Sequence, residues 1–138
     1  MQVIKGCSGV GQREIFMHKI LAVDDYEEIL NIVRTKLSRS GYKVETENDA
    51  LNVLSKIREF RPEVVLLDIM MPKITGFELC KMVKGDKELK HIKVIFLTGK
   101  DLEFARKKAQ EVGADGFIAK PFSPNELVEY IDGLFKKE

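Results

Sequence analysis

Short runs rich in Val, Ile and Leu alternate with amphipathic helical stripes five times along the chain, and that alternation leaves few folds open. The strand patterns cover residues 18–24, 42–47, 63–68, 93–97 and 116–119. The helical stripes between and after them are Ile29, Ile32, Val33 and Leu37; Ala50, Leu54, Ile57 and Phe60; Leu79, Met82 and Val83; Leu102, Ala105, Ala109 and Val112; and Leu127, Ile131, Leu134 and Phe135. Gly41, Gly85 and Gly113 stop three of the helices, and the Thr75-Gly76-Phe77-Glu78 and Ser123-Pro124-Asn125-Glu126 segments carry the S/T-x-x-E spacing that starts two of them.

Strands followed by helices imply right-handed crossovers and a parallel sheet covered on both faces. The expected class is α/β, a doubly wound five-stranded parallel sheet. The second strand, with Tyr42 and Val44 alternating with polar residues, reads as an edge, which fits strand order 2-1-3-4-5. In that order the switch point lies between strands 1 and 3, and ligands of such sheets bind outside the strands' carboxyl ends. Those two strands end in Asp24-Asp25 and in Asp68. Carboxylates gathered there repel one another unless a cation joins them, and an all-oxygen donor set suits a hard ion such as Mg2+ or Mn2+.

Composition excludes several classes. With 138 residues, 44% hydrophobic, the chain suits one domain, and a net charge of +1 without a basic stripe gives no reason to expect direct nucleic-acid binding. The apolar runs are too short to span a membrane, and residues 1–16 lack the apolar core of a signal peptide, so a cytoplasmic protein is expected. Cys7 and Cys80 lie far apart without CxxC spacing and are expected to be reduced thiols.

Taken together, the strand-end residues resemble the receiver domains of two-component response regulators over roughly residues 19–135. The acidic pair Asp24-Asp25, then Asp68, Thr98 and Lys120-Pro121 stand in the family's order, and LLDIMMPKITGFEL, TGK and AKPF surround the last three positions. The resemblance implies a flavodoxin-like three-layer sandwich in which Asp68 accepts a phosphoryl group. It further implies that Asp24, Asp25, Asp68 and the Met70 backbone carbonyl hold the metal, and that Lys120 and Thr98 contact the phosphoryl oxygens. Phe117, three residues before Lys120, stands at the family's switch aromatic, and the Lys120-Pro121 bond is a cis candidate. Such a protein catalyses only its own phosphorylation and dephosphorylation. Its partners would be a histidine kinase or phosphotransfer protein and a downstream protein that reads the surface of the fourth helix, fifth strand and fifth helix.

Simpler readings compete at each position. Asp25 before Tyr26-Glu27-Glu28 suits a helix cap, Phe117 suits plain core, Met70, Met71 and Met82 suit filler, and His18 and His91 suit surface or strand-end positions. A flavodoxin-like cofactor binder would need an anion-friendly first loop, where this chain has Asp-Asp-Tyr-Glu-Glu. A phosphatase with a DxD pattern would need an acid where Met70 stands. A phosphorylation-independent receiver-like module remains an alternative, although degenerate versions typically lack one of the five residues present here. Residues 1–16 are expected to be a flexible extension and 17–138 the receiver domain. Because no output domain follows the last helix, a stand-alone regulator is expected, with a receiver fragment of a longer regulator as the alternative.

Overall fold

The computed structural model of the chain describes residues 17–99 and 102–136. Five parallel strands, β1 (Lys19–Val23), β2 (Lys43–Glu47), β3 (Val64–Asp68), β4 (Lys93–Thr98) and β5 (Gly116–Ala119), form one sheet in the order β2-β1-β3-β4-β5. Helices α1 (Glu27–Arg39), α2 (Val53–Phe60), α3 (Gly76–Lys84), α4 (Leu102–Val112) and α5 (Pro124–Lys136) link and follow them, and a 3-10 turn (Ala50–Asn52) precedes α2. The expected class, strand count and order are those observed.

Alternation along each strand divides the core in two. Ile20, Ala22, Val64, Leu66, Ile95 and Leu97 face α1 and α5, where Leu30, Val33, Leu37, Leu127 and Ile131 meet them. Leu21, Val23, Val65, Leu67, Val94 and Phe96 face the other way, onto α2, α3 and α4. Strands buried on both faces need continuous apolar runs, which is why β1, β3 and β4 lack the polar alternation of the edge strand β2.

Three helical faces differ from the sequence reading. In α1 the buried stripe is Leu30, Val33 and Leu37, whereas Ile32 is exposed. In α3 Cys80 is fully buried and Met82 exposed. At 3.6 residues per turn, Ile32 and Met82 each stand about 100° away from their buried neighbours Val33 and Val83, and position outranked residue type. Val53 likewise replaces the half-buried Leu54 as a fully buried residue of α2. His18, just before β1, bonds Glu63 and stacks on Phe135, and Cys80 is a free thiol. Residues 1–16, including Cys7, lie outside the described residues.

The helix signals work as expected. Thr75 and Glu78 form a reciprocal capping box at α3, and Ser123 and Glu126 exchange the same pair of bonds at α5. Gly41 and Gly113 adopt φ of 100° and 85°, conformations that favour glycine. Gly85 ends α3 at φ −87°, so its helix stops without the left-handed turn, while Arg61 takes the left-handed position after α2.

Candidate functional site

Register brings the acidic residues together. Val23 pairs with Leu67 across β1 and β3, so Asp24 and Asp68 leave adjacent strands at the same edge. Carboxylate oxygens of Asp24, Asp25 and Asp68 lie within 4.8 Å of one another. Asp24 is fully buried and Asp68 nearly so, while Asp25 is exposed.

Lys120 arrives from the far edge. Its backbone N–H donates to the Thr98 carbonyl at 2.7 Å, which ties the end of β5 to that of β4, and the Lys120-Pro121 peptide is cis. The Lys120 ammonium then donates to Asp24 Oδ2 at 2.9 Å and to Asp68 Oδ1 at 3.3 Å. Burial pulls the Lys120 pKa down, but the bonds and charges of Asp24 and Asp68 outweigh it and the net shift is upward. Asp68 is pushed up to about 6, first by burial and then by the charge of Asp24; Lys120 opposes the rise, and Asp25 adds to it.

Asp24 has a second role. Its Oδ1 accepts the Tyr26 N–H at 3.0 Å in a turn just ahead of α1, whose N-cap, Tyr26, makes no side-chain cap bond, so the capping alternative for Asp25 is not what the structure holds. Thr98 is buried at the end of β4. Thr98, Asp25, Asp68 and Lys120 line one cleft of about 520 Å³. Met70, whose side chain is exposed, also lines it, as do Tyr26, Phe77 and Phe104, which the sequence reading did not single out. Phe117 lies half-buried against the α4 side of the sheet, with the Arg106 guanidinium 5.6 Å from its ring centroid. No spacing rule connects Arg106 with Phe117, so that contact was not legible beforehand.

The donor set fits a divalent cation. Among the described residues three carboxylates face one ammonium, which leaves two negative charges uncompensated at a site open on the Asp25 side, and the clustered side-chain ligands are hard oxygens. The sequence pattern of the family described as response regulator receiver domain matches residues 20–132. The chain belongs to this family. Receiver domains are signalling proteins that bind Mg2+ at an acidic cluster, and Asp24, Asp25 and Asp68 lie close together here.

The receiver chain is 38% identical over 119 residues to the alkaline phosphatase synthesis transcriptional regulatory protein PhoP of Bacillus subtilis, covering 86% of this chain and 49% of that protein. It is 36% identical over 110 residues to protein PilG of Pseudomonas aeruginosa, covering 80% and 82% of the two chains. The chain thus spans about half the length of PhoP and most of PilG. Among solved structures, chemotaxis protein CheY4 of Vibrio cholerae superposes with a TM-score of 0.81 at 35% identity, over 85% of this chain and 98% of that one. Among the described residues no helix is long and apolar enough to cross a membrane.

Proposed function

We propose that this receiver accepts a phosphoryl group on Asp68 from a histidine kinase or phosphotransfer protein and thereby changes the surface it shows to a downstream protein. The observation that carries the reading is the placement of Asp68 between an acidic pair and Lys120 at one strand edge. Ionised Asp68 is a carboxylate nucleophile: one oxygen attacks phosphorus, the bond to the donor's nitrogen or oxygen breaks, and that leaving atom keeps the electron pair.

Asp24, Asp25, Asp68 and the Met70 carbonyl would hold Mg2+, which when bound offsets charge on the transferring group and among the carboxylates. Lys120 already sits against Asp68 Oδ1 and would follow the new oxygens as an ion pair. Thr98, on the same cleft, would supply a hydroxyl hydrogen bond that favours the phosphorylated arrangement. Phe117 lacks a hydroxyl, so burial and the Arg106 contact over its ring bias its rotamers, and that contact couples any rotation to α4. The surface of α4, β5 and α5 then reports the state of Asp68. This reading places the protein in the cytoplasm and away from direct contact with nucleic acid.

Intact-mass spectrometry after incubation with Mg2+ and a small acyl phosphate or phosphoramidate tests the reading. A single phosphoryl adduct that requires Mg2+ and is absent in Asp68→Asn is expected. A folded wild-type protein that stays unmodified under donor excess would favour a module that binds partners without phosphorylation.

A further inference from the structure

The segment between β3 and α3 supplies two groups to the proposed site, the Asp68 carboxylate and the Met70 carbonyl. Something must fix that segment against the sheet. Its own conformation is not relaxed: the Ile74 N–H bonds the Pro72 carbonyl at 2.9 Å across Lys73, whose φ of 76° is that of the rare, strained γ-turn. A strained loop holds its shape only where its surroundings determine it.

A residue with no side chain lies against the end of β3. Gly76, the first residue of α3, is buried, and its N–H donates to the Ile69 carbonyl at 2.9 Å. A Cβ built on Gly76 would stand 2.5 Å from the Asp68 carbonyl oxygen, 2.9 Å from the Ile69 Cα and 3.2 Å from the Asp68 carbonyl carbon. All three are backbone atoms that no rotamer change can move aside. The φ of Gly76 is not in the left-handed region, so backbone freedom is not what the position needs. It needs the absence of a Cβ, so that the start of α3 can lie directly on the end of β3.

We propose that Gly76 is a positioning residue for the phosphoryl site: its contact with the backbone of Asp68 and Ile69, locked by its hydrogen bond to Ile69, sets where the Asp68 carboxylate and the Met70 carbonyl stand. The inference rests on the reading of Asp68 as phosphoryl acceptor. Any side chain at residue 76 pushes β3 and α3 apart at the backbone carbonyl of the residue that carries the nucleophile. A displacement of about 1 Å in a reacting group costs on the order of a hundredfold in rate, and disturbing groups that orient metal ligands costs about 10- to 100-fold in affinity.

The test compares the full chain with Gly76→Ala and with Gly113→Ala. Gly113 lies far from the site, between α4 and β5, at φ 85°, so alanine there introduces strain without touching the acidic edge. Mg2+ affinity is measured by calorimetry on metal-free protein, and the rate of phosphoryl acceptance is measured at saturating Mg2+. Gly76→Ala is expected to weaken Mg2+ binding and to slow acceptance by at least about tenfold each, while Gly113→Ala loses thermal stability with both values within about twofold of wild type. A folded Gly76→Ala that keeps both within about twofold overturns the proposal. If Gly76→Ala does not fold, the wild-type chain decides: the Gly76 and Ile69 amide NMR signals must move with Mg2+ at the midpoint of the acidic-edge signals, and fixed signals overturn it. Failure of wild type to take a phosphoryl group would instead overturn the reading of Asp68, because the Mg2+ titration still reports on Gly76.

Discussion

Asp68→Asn is expected to stabilise the metal-free protein at neutral pH, although it removes the proposed nucleophile. The Asp68 pKa rises from an ordinary 3.8 to about 6, with burial the first cause and the Asp24 charge the second. A folded-state pKa above the unfolded one means that the native state binds more protons between about pH 4 and pH 6. The contribution of Asp68 to stability is therefore fully present below about pH 4 and is lost as pH rises through about 6. The rise from 3.8 to about 6 corresponds to about 3 kcal/mol, and solvent access through the open cleft reduces this to about 1–2 kcal/mol. For a domain of this size that is roughly 4–8 °C in Tm. Thermal melts followed by circular dichroism in chelator should show Asp68→Asn melting higher near neutral pH and level with wild type near pH 4. Saturating Mg2+ should reverse the order, because it binds the wild-type carboxylates better. A variant that melts at or below wild type near neutral pH, without metal, would refute the claim that the cluster is electrostatically strained.

Lys120→Met leaves the fully buried Asp24 without its ammonium, and a loss of about 3 kcal/mol in urea denaturation of metal-free protein is expected; a loss under about 1 kcal/mol would contradict the pairing. Leu30→Ala should cost about 3 kcal/mol and Ile32→Ala under about 1 kcal/mol, which checks the buried face of α1 by the same assay. Ser123→Ala removes the side-chain acceptor of the α5 capping box and should cost about 1 kcal/mol, with phosphoryl acceptance unchanged in the intact-mass assay.

Much of this was legible because strand burial and strand-end chemistry are local signals. The runs that end in Asp24 and Asp68 are continuous and apolar, so they identify inner parallel strands, and topology then places their acids together. What escaped depends on contacts between distant segments. Lys120 binds Asp24 across 96 positions of sequence, so it is part of the metal-free electrostatic balance and not only a group awaiting phosphate. Asp24 accepts the Tyr26 N–H two residues on, as an Asx turn does, but the same spacing would let Asp25 bond the next N–H, and only the structure shows which turn forms. Gly76 reads as an ordinary helix-start glycine until the β3 backbone is seen against it. The stripes read from the sequence omit Leu30 and Cys80, because apolar neighbours stand beside both and about 100° of helical rotation per residue decides what is buried.

On the proposed reading the phosphoryl chemistry occurs at Asp68. That reading is tested most directly by exposing the chain to Mg2+ and a small phosphodonor, reducing with borohydride, and locating the modified residue by peptide mass spectrometry. Hydride reduces an aspartyl phosphate to homoserine, so the account predicts homoserine at position 68, dependent on both Mg2+ and donor. Homoserine at position 24 or 25, or an adduct on the intact chain that leaves residue 68 unreduced, would contradict it.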